Sequence, residues 1–199
     1  MASNRYLTDE ELQMLNELCR HDASPPTITL TMLMDANIRP LLDQASHLEL
    51  KLELGDIRLS FPVALTSLSE AQEQAELSVP EILSNSAHPR AWRLPSPQGL
   101  QLSQPNGKPL AAEIRDLSIN GMRLLSRRCL FRRHKSKLVR LELGQEHNIL
   151  LKLKLVRQHR ARHFWLAAVQ FELPVADRMT LSDYVFRGFL EAIYREQAE

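Results

Sequence analysis

The side chains in this 199-residue chain best suited to chemistry fall in two short segments. One carries Arg90, Trp92 and Arg93; the other is an Asp-x-Ser-x-x-Gly run formed by Asp116, Ser118 and Gly121. Arginine presents a planar fork that grips a phosphate through two hydrogen bonds and stacks on a flat base. A carboxylate accepts from adjacent N–H donors such as N1 and N2 of a guanine edge, and a serine hydroxyl bonds a base or a phosphate. Each segment alone also has a plain structural use. Two arginines can be solvated at a domain edge, and an Asp-x-Ser turn can satisfy its own backbone.

The patterns around these residues predict the elements that must position them. Residues 86–97 contain Pro89, Pro95, Pro97 and two serines, which predicts an extended loop outside regular structure. Residues 110–114 predict a strand. Asp116 and Ser118 then alternate along its end, so both side chains share one side. Asn120-Gly121 between apolar runs predicts a turn, with Gly121 free to take positive φ. Residues 137–143 and 148–156 alternate around Gly144 as two further strands, and residues 165–171 form a last one, ended by Pro174. Thr180, Leu181, Ser182 and Asp183 open a helix whose Leu181, Val185, Phe189 and Ile193 make one apolar stripe. That stripe plugs a barrel or forms a dimer seam.

Arginines in a loop, a strand, then Asp-x-Ser-x-x-Gly 26 residues after Arg90 resemble the PilZ domain, whose members are receptors for cyclic di-GMP. The family signature is R-x-x-x-R followed by [DN]-x-S-x-x-G. Asp116, Ser118 and Gly121 complete the second part. Arg90 and Arg93 are spaced R-x-x-R, one residue short, which in an extended segment moves one side chain to the opposite side. Residues 165–171 resemble the family's last strand, with Ala168 where glycine is frequent. The resemblance covers about residues 86–196 and implies a six-stranded antiparallel barrel with a C-terminal helix. It further implies that cyclic di-GMP lies between the arginine loop and the Asp-x-Ser turn. Arg90 and Arg93 clamp phosphates and stack on guanines, Asp116 reads a guanine edge with Ser118 beside it, and Gly121 shapes the turn. Arg157, at a strand end next to this surface, is a further stacking residue.

The N-terminal half reads as a smaller β-rich domain. Thr8 caps a helix that ends near His21, and residues 27–33 predict a strand. Leu48, Leu50, Leu52 and Leu54 alternate with charges, then Gly55-Asp56 and Ile57 to Phe61 follow, which predicts a hairpin. Residues 67–78, polar and rich in Ala and Glu, predict a loop or a short helix. The domains expected are therefore 1–85, a ligand loop at 86–97, and the barrel at 98–199. A small β-rich domain before a PilZ domain resembles the flagellar-brake arrangement, which implies the flagellar motor as a partner and motility or biofilm as the output.

Charge divides in the same way. Residues 1–85 hold five basic and 14 acidic side chains, a net −9; the rest hold 20 and 10, a net +10. An acidic half joined to a basic half suggests different partners for each. No apolar run reaches the ~18–20 residues of a membrane helix, and the first residues lack a secretory apolar stretch, so a cytoplasmic protein is expected. Cys19 and Cys129 form no metal spacing. His159 and His163 sit among Arg157, Arg160 and Arg162, which opposes metal binding. No catalytic motif is present, so neither an enzyme nor a cofactor is expected. Two other readings compete. A PilZ-like adaptor without nucleotide affinity would explain the short arginine spacing. A nucleic-acid-binding module would use the eight basic residues between Arg123 and Arg140, where only Phe131 could stack, so nucleic acid is the less favoured partner.

Overall fold

A computed structural model of the chain describes residues 28–33, 39–69, 72–85, 89–144 and 147–198. Its contacts separate into two units, Met1–Trp92 with Leu190–Glu199, and Arg93–Phe189. The helix expected over residues 8–21 lies outside the described residues.

The first unit holds β1 (Ile28–Leu33), a one-turn helix α1 (Arg39–Asp43), β2 (Glu49–Leu54), β3 (Ile57–Ser69), β4 (Gln72–Leu77), β5 (Glu81–Ser84) and β6 (Arg90–Ala91). The strands run in the order β1-β4-β3-β5-β6, with β2 also paired to β3. The β2–β3 hairpin forms as the alternation predicts: Leu54 pairs with Ile57, and Gly55 takes the positive φ of 56° that the turn requires. Leu59, Phe61, Ala75, Leu77 and Ile82 form the buried core, all at most 4% exposed. The leucine face of β2 is covered less well, and Leu52 stays 39% exposed. Residues 67–78 differ from the loop or short helix expected. Most of them are strand: β3 runs to Ser69 and β4 pairs with both β3 and β1. Their Ala and Glu content favours helix only weakly, and pairing on two sides overrides such a preference.

The second unit holds β7 (Leu94–Pro95), β8 (Leu100–Ser103), β9 (Ala112–Ser118), β10 (Gly121–Ser126), β11 (Ser136–Leu143), β12 (His147–Ala161), β13 (Phe164–Gln170) and α2 (Val175–Ala198), of which residues 175–189 belong here. One curled antiparallel sheet runs β7-β9-β10-β13-β12-β11-β8. It has seven strands where six were expected, the seventh being the two-residue β7. Alternation is strict from Ile149 to Lys154 of β12: Ile149, Leu151 and Leu153 are at most 2% exposed while Leu150, Lys152 and Lys154 face solvent. With Leu117, Met122, Leu124, Val139 and Leu141 they fill the concave face. Each such burial contributes roughly 1.5–3 kcal/mol.

Three local expectations are corrected. Residues 86–97 are not wholly irregular, because β6 pairs with β5 and β7 pairs with β9, using backbone groups that the prolines leave free. Helix α2 starts at Val175, five residues before the expected Thr180. Pro174 stands just ahead of the helix and its carbonyl accepts from Arg178 at 2.9 Å, a place where its missing N–H costs nothing. Leu181, Val185 and Phe189 are buried as the stripe predicts, with Phe186 joining them. Gly188 lets this helix approach Leu94, whose side chain would lie 2.6 Å from an added Cβ. The strand expected at 110–114 instead spans Ala112–Ser118, which puts Asp116 and Ser118 inside a ladder.

Candidate functional site

The β9–β10 hairpin turns at Ile119-Asn120, so Ser118 pairs with Gly121, Leu117 with Met122 and Asp116 with Arg123. The turn is one residue earlier than the Asn-Gly pair suggested. Gly121 is therefore a strand residue, and its φ is not among the positive values. What requires glycine there is space: an added Cβ would lie 2.7 Å from the Val169 carbonyl oxygen on β13.

A register shift follows at Arg123/Leu124, where Leu124 pairs with Ile114 and leaves Arg115 as the extra residue. Bulges of this kind re-aim side chains. Ile114 and Leu117 both face the concave core, although three positions apart, and Asp116 turns to the opposite, convex face. Without the bulge, the strict period of two would send Asp116 to the same side as Ile114.

On the convex face Asp116 is nonetheless only 2% exposed, because two arginines cover it. Arg93, between β6 and β7, donates from Nη1 to Oδ1 at 2.6 Å. Arg123 donates from Nε to Oδ2. A carboxylate this buried must be paired, and here it has two cations, whose own side chains are 43% and 49% exposed. The cluster carries a net positive charge, as an anion-binding surface needs.

Ser118, fully buried, directs its hydroxyl into the turn, with Gly121 O and Asn120 Oδ1 both 3.0 Å away. Arg157 lies on the same convex face as Asp116. Its backbone pairs with Ala168, which on its other side pairs with Arg123. Pro95, Asp116, Arg123, Ala168 and Arg157 thus form one row across five strands. Strand spacing places the Cα atoms of Arg123 and Arg157 about 10 Å apart. A second register shift, between Leu155 and Arg157, puts Arg157 in that row. Arg90 is exposed in β6 and belongs to the other unit.

The structure therefore brings together Arg93, Asp116, Ser118 and Gly121, and aligns Arg157 with them. The sequence reading missed Arg123. Its signal was present: with the turn at Ile119-Asn120, simple hairpin register sets Arg123 opposite Asp116. Among the described residues no helix is long and apolar enough to cross a membrane, and no three His, Cys, Asp or Glu side chains gather as a metal site.

In comparisons with known proteins, the PilZ domain matches residues 86–187. No curated protein matches the chain. Among solved structures, MrkH of K. pneumonia in its apo state is similar at 15% identity and a TM-score of 0.42, covering 85% of this chain and 80% of that one. YcgR from Escherichia coli, in complex with c-di-GMP, is similar at 16% identity and 0.42, covering 88% and 78%. The Bacillus subtilis inhibitor of motility, MotI/DgrA, is similar at 14% and 0.40, covering 73% of each.

Proposed function

The chain belongs to the PilZ domain family, and from that premise we propose that it is a receptor for cyclic di-GMP. The observation that carries this reading is the Asp116 cluster: a carboxylate re-aimed by a bulge onto the convex face, beside Gly121 and under Arg93. In this reading Arg93 leaves Asp116 to grip a phosphate, Asp116 accepts from the N1 and N2 donors of a guanine, and Arg157 stacks on a base. Ser118 and Gly121 hold the turn and the sheet that carry Asp116. Arg90 reaches the ligand from residues 86–97, which act as the ligand loop between an N-terminal domain at 1–85 and the barrel at 98–199. Ordering that loop fixes the angle between the domains and passes the signal to a protein partner in the cytoplasm, with motility or biofilm as output. The role is binding, not catalysis.

Calorimetric titration with cyclic di-GMP tests this in wild type, Arg93→Ala and Asp116→Ala. The expected result is saturable heat at micromolar ligand, lost in both variants. No heat up to about 100 µM, a ceiling near 5.5 kcal/mol of binding, refutes it. The protein then acts as an adaptor without nucleotide, a reading favoured by the occupation of both Asp116 oxygens.

A further inference from the structure

We propose that Arg123 is a positioning residue for the ligand site: it holds the Asp116 carboxylate in its aim once Arg93 has left for a phosphate. This rests on the cyclic di-GMP reading above.

Asp116 has one arginine on each oxygen, and the two come from different kinds of support. Arg93 sits on the short connection between β6 and β7. Arg123 sits within β10, backbone-paired on one side to Asp116 itself and on the other to Ala168. Arg93 stands outside the ladders, on a two-residue connection, whereas Arg123 is held at the register position opposite Asp116. A buried carboxylate with no cation is costly. If Arg93 were the sole partner, each ligand that drew it away would leave Asp116 uncompensated. Arg123 removes that penalty. It holds Oδ2, leaving Oδ1 to accept the guanine donors in place of Arg93. The other charged groups around Asp116 do not substitute. Arg115 on the same strand is paired to Glu113 at 2.7 Å. Across the sheet, Ala168 and Gln170 of β13 are uncharged, Arg157 and His159 of β12 lie beyond them, and Lys154 is paired to Glu172 at 3.0 Å.

The experiment is calorimetric titration of the full chain with cyclic di-GMP. Wild type, Arg123→Ala and Arg123→Lys are compared, with circular dichroism to check folding. We expect Arg123→Ala to bind at least about tenfold more weakly than wild type, the loss of one charge-assisted hydrogen bond. Arg123→Lys restores a cation and a donor, so its affinity should return toward wild type. An Arg123→Ala variant with wild-type affinity overturns the inference and leaves the receptor reading standing. So does an Arg123→Lys variant that binds as weakly as Arg123→Ala, or tighter binding by Arg123→Ala, which would make Arg123 a competitor of the ligand. Wild type that does not bind overturns both.

Discussion

Replacing Gly121 with alanine separates the two uses of glycine, and its cost can be worked from the structure. The added Cβ meets the Val169 carbonyl oxygen at 2.7 Å. That neighbour is backbone within the β10–β13 ladder, so no rotamer change relieves the clash, and an ordinary contact needs the strands to part by about 0.7 Å. Forced overpacking costs roughly 1–3 kcal/mol. Because the Gly121 φ is not positive, alanine adds no left-handed strain, and a less flexible unfolded chain offsets roughly 0.4–1 kcal/mol. The net loss is about 1–2 kcal/mol. For a unit of this size that lowers Tm by about 5–15 °C. Thermal unfolding followed by circular dichroism measures it. Gly107→Ala is the contrast: its Cβ meets nothing within 4 Å, but its φ is +81°. A Gly121→Ala protein melting within about 2 °C of wild type, or higher, would refute the close-approach account. Arg93 Nη2 lies 3.7 Å from the added Cβ, an ordinary contact, so the pair with Asp116 should survive the substitution.

Further outcomes are expected. Ser118→Ala removes a buried hydroxyl that holds the turn, so stability should fall by about 1 kcal/mol; chemical denaturation would show it as a lower midpoint at unchanged slope. Leu117→Ala empties a fully buried core position and should cost roughly 2–5 kcal/mol, read in the same way. Glu49 accepts from His47, Ser60 and Lys51, and these hydrogen bonds lower its pKa from 4.5 to about 2. Since the folded state favours the ionised carboxylate, its contribution is present above pH 4.5 and is lost as pH falls toward 2. Carboxyl NMR should find a midpoint near 2 that rises in Ser60→Ala; a midpoint near 4.5 would show that these bonds do not form in solution.

What could be read along the chain was whatever depends on local period. The leucine alternation at 48–54 determined a hairpin, because two-residue periodicity has a single exposed face and Gly55-Asp56 fits its turn. The alternation of β11 and β12 and the apolar stripe of α2 were legible for the same reason. So were residues that the fold brings together: Arg93, Asp116, Ser118 and Gly121 stand out by type and order alone. Elements held by their neighbours were not legible. β4 has little intrinsic strand preference and forms because β1 and β3 flank it, and β7 is two residues long and exists through its pairing to β9. The site depended most on tertiary structure. An Asn-Gly pair permits a turn at either of two positions, and the register with β13 sets Gly121 in the ladder where only glycine fits. One extra residue at Arg115 then carries Asp116 to the convex face. A bulge has no periodic signal, since it is a break in the period, and its effect is visible only where the partner strand is known. Arg123, 7 positions from Asp116 in the chain, lies on the turn side of the bulge, and its pairing needs only the turn to be set at Ile119-Asn120, which the folded sheet decides.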